Sequence, residues 1–166
     1  MTTTVGVQMG SPTATERREL AFAGVARQAE LVRSGAVAPR ELVELALERI
    51  AELDPKLNAF RIVFAERALA AADAAAGRGA ADLPLRGVPL AVKDDTPYAG
   101  EPRVIGSSAY GDPEPQTAHF VERLCAAGAI VVGMTRTPEL AAWPFTETTA
   151  GGVTRNPWNL DRTPGG

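Results

Sequence analysis

Gly87-Val88-Pro89-Leu90-Ala91-Val92, followed at once by Lys93-Asp94-Asp95, is the stretch on which the reading of the fold turns. It is short, apolar and bounded by glycine and proline, the pattern of a strand buried on both faces. Downstream, Thr117 is placed to cap a helix whose apolar face is Phe120, Val121, Leu124 and Cys125, and Gly128 closes that helix. The run Ala129-Ile130-Val131-Val132-Gly133 reads as a second buried strand. Strand, helix and strand in that order form a βαβ unit, with parallel strands joined by a right-handed crossover. The expected class is therefore α/β. Between the first strand and the helix, Lys93 to Gln116 reads as loop, interrupted by Pro97, Pro102, Pro113 and Pro115.

Towards the N-terminus, Glu16 to Arg33 reads as one helix, with Gly35 placed for a left-handed C-terminal cap. Pro39 suits the first turn of a second helix, where no intrahelical N–H is needed. Val43, Ala46, Leu47 and Ile50 then recur at the spacing of one buried stripe. The two helices are expected to pair as a hairpin. After Asp54-Pro55, the apolar stretch Ala59 to Phe64 fits either a strand or the approach to an alanine-rich helix running to about Ala76, which Gly77 and Gly79 end. Residues 1–15 are read as a disordered N-terminus and 16–166 as one unit. Met134 to Gly166 holds many turn formers and little periodicity, a long tail that ends in Thr163-Pro164-Gly165-Gly166.

With 45% hydrophobic and 22% charged residues, the 166-residue chain has the composition of a soluble domain able to bury a core. A net charge of −3 leaves no basic excess for phosphates, so nucleic acid is not an expected direct partner. The first sixteen residues lack a long apolar run, and no apolar segment follows Arg17-Arg18. No export signal or membrane contact is expected, and the location is read as cytoplasmic. One cysteine, Cys125, excludes an internal disulfide and reads as a small buried hydrophobe. No metal-ligand spacing is seen, and His119, the only histidine, is the sole candidate base for a Ser-His-Asp triad within the chain, a poor one.

The most informative residue is Lys93, because open α/β sheets bind ligands at the carboxyl ends of their strands. It reads either as a solvated lysine at a strand end or as an ammonium desolvated enough to lose its proton and act as a base. Asp94 and Asp95, adjacent on an extended segment, point apart, which disfavours a shared metal and favours one of them capping the next turn. Gly106-Ser107-Ser108, Gly151-Gly152 and Gly165-Gly166 match neither phosphate-binding glycine motif nor the nucleophile elbow of α/β-hydrolases. Ser107 and Ser108 have no base beside them in sequence. Trp143 and Trp158, next to Pro144 and Pro157, read as loop anchors that bury a ring against the sheet.

Several stretches carry a resemblance. Leu85-Arg86-Gly87-Val88-Pro89-Leu90-Ala91-Val92-Lys93-Asp94 resembles the segment that delivers the catalytic lysine in the amidase-signature family, and Gly106-Ser107 follows at the spacing of that family's GS loop. Gly128-Ala129-Ile130-Val131-Val132-Gly133-Met134-Thr135 and Thr137-Pro138-Glu139-Leu140 are similar as well. The most specific match, Thr154-Arg155-Asn156-Pro157-Trp158-Asn159-Leu160-Asp161-Arg162-Thr163-Pro164-Gly165-Gly166, resembles the lead-in to the family's Gly/Ser-rich signature. The similarity is strong from Leu83 onward and looser through the N-terminal helices.

The resemblance implies an incomplete amidase-signature fold: an N-terminal helical hairpin, then part of a mixed or parallel sheet with covering helices. It also implies a Ser–cis-Ser–Lys mechanism that cleaves a small-molecule amide without metal or cofactor. Neutral Lys93 would take a proton through a bridging serine while a second serine attacks the carbonyl and forms an acyl-enzyme. Both serines would follow Gly166, so residues 1–166 are expected to be inactive by themselves, and their exposed strand edges and apolar faces to favour aggregation or a partner. Arg136 stands where the family commonly has Asn, and Leu140 where Phe is usual, which leaves substrate preference open. By position, Ala141 and Trp143 are the candidate pocket walls. Alternatives are the amidase subunit of a tRNA-dependent amidotransferase, and a noncatalytic α/β module or decayed gene product. A homo-oligomer is left open.

Overall fold

The structure is a computed structural model that describes residues 13–77, 83–109 and 111–166. Of the stretch expected to be disordered, residues 1–12 lie outside the described residues, as does Gly79. Thr13, by contrast, is a working helix cap. Its hydroxyl accepts from the Glu16 N–H at 3.3 Å while the Glu16 carboxylate accepts from the Thr13 N–H at 2.7 Å, satisfying two orphan donors of helix α1 (Ala14–Ala21). The single helix expected over 16–33 is broken. Gly24 takes φ +76°, a conformation that a continuous helix cannot contain, and α2 (Gly24–Arg33) starts anew from it. Gly35, at φ +75°, closes α2 as expected: its N–H donates to Val32 O at 3.1 Å and that of Ala36 to Leu31 O at 2.9 Å.

Helix α3 (Pro39–Leu57) begins at the predicted proline and buries Leu42, Val43 and Leu45. It is α1 that packs along α3, with Arg17 paired to Glu48 and Arg49 lying 5.0 Å over the Phe22 ring, so the expected hairpin of two helices becomes a three-helix arrangement. Pro55 falls inside the last turn of α3 rather than ending it. Asn58, in the left-handed region at φ 51°, is the actual terminator, and Asp54 Oδ1 accepts from the N–H groups of Ala59 and Phe60 at 2.6 and 3.1 Å to turn the chain into a strand.

That strand is β1 (Phe60–Val63), which resolves the open reading of 59–64. Helix α4 (Ala65–Ala75), strand β2 (Pro89–Lys93), helix α5 (His119–Ala126) and strand β3 (Ile130–Thr135) follow. The sheet order is β1-β3-β2, with β3 parallel to β2 and antiparallel to β1. The βαβ unit is therefore present in a mixed sheet. Along β3 the side chains alternate between two cores. Ile130 and Val132 pack with Val43, Ala68 and Ala72 of α3 and α4, while Val131 and Met134 pack with Val92, Val121, Phe64 and Tyr98 on the side of α5.

Three sequence expectations are corrected by position in this sheet. Strand β2 lies at an edge of it and is covered on one face only: Val92 is buried but Ala91 is exposed. Thr117 does not cap α5, because its hydroxyl accepts from the Ala99 N–H at 3.1 Å across the preceding loop, leaving Ala118 as an N-cap without a side-chain bond. Of the four residues assigned to the apolar face of α5, Val121 is fully buried, whereas Phe120 and Cys125 are exposed; one turn of the helix meets the sheet and the rest overhangs it. Among the described residues, no helix is long and apolar enough to cross a membrane.

The C-terminal tail is tied to the core by Asn58. Its side-chain N–H groups donate to Gly151 O and Val153 O at 2.7 and 3.2 Å, on either side of Gly152 in the hairpin of β4 (Glu147–Thr148) and β5 (Gly152–Val153), and Thr154 Oγ1 donates to Asn58 O at 2.8 Å. Within the sheet the tightest approach is at Gly133, where a Cβ would lie 2.5 Å from Ile62 O and 3.0 Å from the Phe60 ring. Gly133→Ala is expected to force β1 off β3 and lower stability by about 2 kcal/mol, the scale of overpacking in a filled core. Urea unfolding measures it, and an unchanged midpoint would contradict this packing.

Candidate active site

Lys93 closes β2, paired in register with Thr135 of β3, and its carbonyl accepts from the Thr96 N–H at 3.0 Å as the chain turns away. It thus occupies the carboxyl end of a parallel strand, where ligand sites of α/β sheets form. The side chain is 42% exposed, and Nζ lies 3.4 Å from Asp95 Oδ2. A pair this open holds the ammonium by no more than about 1 kcal/mol.

Asp94 behaves differently. Its side chain is 2% exposed, and Oδ2 stands 3.7 Å from Arg61 Nε, while an amino nitrogen of Arg61 lies 3.9 Å from Glu101. Burial pushes the Asp94 carboxyl above the usual carboxylate range. The Thr137 hydroxyl, the Arg61 guanidinium and the Gly106 N–H pull it back, and the charge of Asp95 adds to the rise. None of these contacts completes the site: Asp94 Oδ1, Thr137 Oγ1 and Arg61 Nε have no hydrogen-bond partner of regular geometry among the described residues. The expectation that Asp94 or Asp95 caps the next turn is corrected for Asp94, which is turned into the protein, while Asp95 Oδ1 accepts from Thr96 Oγ1 at 3.2 Å.

The Gly106-Ser107 loop closes over this carboxylate. Ile105 and Gly106 have φ of 48° and 65°, and a Cβ on Gly106 would sit 2.4 Å from Thr137 O, so only glycine lets the loop press so closely on 137–139. Leu140 N donates to Ile105 O at 2.8 Å from the other side. The result is a cleft lined by Arg61, Asp94, Gly106, Ser107, Arg136 and Thr137, with Thr148 and Gly151 of the hairpin as its outer wall. Arg136 is held there by Nε donating to Asn58 Oδ1 at 3.0 Å.

Other candidate residues lie outside this cleft. Ala141 and Trp143 sit on an outer segment, and both are exposed. Leu140 and Ala141 take consecutive left-handed conformations at φ 54° and 55°, unusual for residues with a Cβ. Neither tryptophan is a buried anchor: Trp143 is 56% exposed and stacks on Phe145 with ring centroids 5.8 Å apart, and Trp158 is 95% exposed. The cause at Trp158 is local. Asn156 Oδ1 accepts from its N–H and Asn156 O from that of Asn159, a tight turn that projects the ring outward. Ser107 Oγ is engaged by the Ala109 N–H at 3.2 Å, Ser108 is exposed, and His119 is a surface residue 3.6 Å from Glu122. Cys125, expected to be buried, is exposed. Arg61, Asn58 and Thr137 were not legible as site residues. The one sequence signal for Arg61 is a charge inside the apolar run 59–64. Among the described residues, no group of three or more His, Cys, Asp and Glu is placed to hold a metal ion.

The raised Asp94 carboxyl makes stability depend on pH. Folding favours its protonated form, so the stability it contributes is fully present below the unfolded value of about 3.9 and is lost as pH rises through the folded value. Denaturant unfolding of the wild type and of Asp94→Asn, compared across this acidic range and up to neutrality, is expected to show the wild type losing ground to the variant as pH rises. A difference that stays flat with pH would contradict it.

Residues 41–166 match the family model described as Amidase. AmiB2 of Mycobacterium tuberculosis (strain ATCC 25618 / H37Rv) is 50% identical over 150 residues, covering 89% of this chain and 32% of that protein. A glutamyl-tRNA(Gln) amidotransferase subunit of Anaeromyxobacter sp. (strain K) is 44% identical over 156 residues, 92% of this chain and 32% of its own. A solved bacterial aryl acylamidase of the amidase-signature enzymes superposes with a TM-score of 0.77 at 30% identity, covering 86% of this chain and 31% of that one. The chain thus spans about a third of the length of the curated relatives it matches. With the family model matched over most of its length, the chain belongs to the amidase family, among the amidase-signature enzymes.

Proposed function

We propose that this chain supplies the lysine-bearing part of an amidase active site that cleaves carboxylic amide C–N bonds through an acyl-enzyme. One observation carries the reading. Lys93 ends β2 opposite Thr135, and the segment resembling the lead-in to the Gly/Ser-rich signature runs to the same end of the sheet. There Thr146 Oγ1 donates to Gly165 O at 2.9 Å, and a Cβ on Gly166 would lie 3.0 Å from Pro138 Cγ. Residues that follow such a segment in the family would therefore start beside Pro138, just beyond the Thr135 that pairs with Lys93.

In this scheme Lys93, in its neutral form, accepts a proton relayed by one serine, and a second serine attacks the amide carbonyl. The amine leaves with a proton, and water resolves the acyl group. Backbone N–H groups of a glycine-rich segment would receive the developing oxyanion. The substrate is a small amide, with Ala141 and Trp143 as outer walls of its pocket, and the working compartment is the cytoplasm. We take residues 16–166 as one unit, the N-terminal part of the amidase domain. The likeness to an amidotransferase over 92% of the chain favours a second reading, in which the same site releases ammonia for transfer to an acceptor.

Neither serine of this scheme lies within residues 1–166, so that stretch alone is expected to give no turnover. Joined to the remaining two thirds of the 50% identical AmiB2 relative, it is expected to give an active amidase. Lys93→Ala in that chimera should cost about 10²- to 10⁴-fold in kcat, the span of a general base. Activity of the folded chimera that survives Lys93→Ala would sink the proposal and favour a noncatalytic role for this chain.

A further inference from the structure

We propose that Asp94 is a positioning residue whose burial beneath the end of β2 aims Lys93 at the open side of the sheet. The inference rests on the reading of Lys93 as the working lysine, and it begins with strand geometry. Consecutive side chains of an extended strand point to opposite faces. Along β2 the burial alternates: Ala91 is exposed, Val92 buried, Lys93 half-exposed and Asp94 buried. The alternation runs one residue past the strand because the Asp94 N–H still donates to Thr135 O at 3.0 Å. Whatever holds Asp94 inward therefore holds Lys93 outward.

Asp94 is held from three directions. Arg61 of β1 approaches Oδ2 at 3.7 Å, Thr137 follows β3, and the Gly106 loop covers the carboxylate. A buried guanidinium and carboxylate are costly to desolvate, and removing one leaves the other uncompensated. Here Asp94 Oδ1 and Arg61 Nε lack regular hydrogen bonds among the described residues, so the pair is retained at a stability cost. An apolar residue would bury as well but would have no partner on β1 or on 137 to fix its direction. By contrast, the one ion pair that holds the Lys93 ammonium among the described residues, with Asp95 at 3.4 Å, lies on the surface and is too weak to orient it.

The chain carries two lysines, Lys56 and Lys93, which makes the test direct. Limited acetylation of the 166-residue chain with an N-hydroxysuccinimide ester, read by peptide mass spectrometry, gives the labelling of Lys93 relative to exposed Lys56. In Asp94→Asn the ratio is expected to fall by about threefold as the strand end is freed and Lys93 turns away from solvent, with the far-ultraviolet circular dichroism retained. The double variant Arg61→Gln with Asp94→Asn replaces the ion pair by two neutral amides and should return the ratio at least halfway, a rescue that general loosening would not give. In the chimera with the AmiB2 remainder, Asp94→Asn should lower kcat by about 10- to 100-fold, the cost of misplacing a catalytic group, while KM stays nearly constant. A folded Asp94→Asn chain with the wild-type ratio, or a chimera that loses turnover on Lys93→Ala but keeps its kcat on Asp94→Asn, overturns the proposal. If Lys93→Ala leaves turnover intact while the labelling ratio responds as stated, the amidase reading fails and the positioning of Lys93 by Asp94 stands.

Discussion

Strand β3 is buried on both faces, and that requirement organises the rest of the molecule. Ile130 and Val132 need α3 and α4 on one side, and Val131 and Met134 need α5 and the Phe64–Tyr98 stack on the other, where the two rings lie 5.6 Å apart. A strand so enclosed must also satisfy its backbone on both edges, because a buried N–H or C=O without a partner costs as much as a lost hydrogen bond. The parallel strand β2 meets one edge and the antiparallel strand β1 the other. Gly133 is where the close approach to β1 is greatest, and both strand pairings shift register near it.

The same enclosure sets the chemistry. Since β2 and β3 run parallel, both leave the sheet at one end, where Asp94 and Thr137 meet residues far away in sequence and Lys93 stands on the opposite face of β2. This end breaks the rules that govern the core. It holds the Asp94 carboxylate almost out of water beside an Arg61 side chain that is 15% exposed, and taking such ions fully out of water costs several kcal/mol each. It also holds Ile105, Leu140 and Ala141 in left-handed conformations that cost about 1–3 kcal/mol each.

The tail from Met134 onward looked structureless in sequence because its order is not periodic. Asn58, ninety-odd residues earlier in the chain, supplies the donors that hold β5 of the β4–β5 hairpin, and Thr146 and Asn156 receive the last residues through side-chain bonds. No window of sequence contains both ends of such contacts. The departure at Arg136 gains a structural account in the same way: its guanidinium bonds to Asn58 and lies against Gly151, where a Cβ would be 2.4 Å from Nη1. It therefore serves to hold the hairpin as well as to line the cleft.

Sequence alone determined the βαβ unit, the glycine cap at Gly35, the proline start of α3 and the place of Lys93 at a strand end, because each follows from local periodicity or from one residue's backbone preference. It also carried the family resemblance, since the motifs that define it are contiguous. Tertiary structure decided which strand lay at the sheet edge, that one N-terminal helix would be two, that Thr117 would serve the loop rather than the helix, and that Cys125 and both tryptophans would face outward. It alone revealed Arg61 and Asp94 as a buried pair. The physical reason is that burial and charge pairing are properties of what packs against a residue, and the partners here come from β1, the 104–107 loop and the residues after β3, which only the folded sheet brings together.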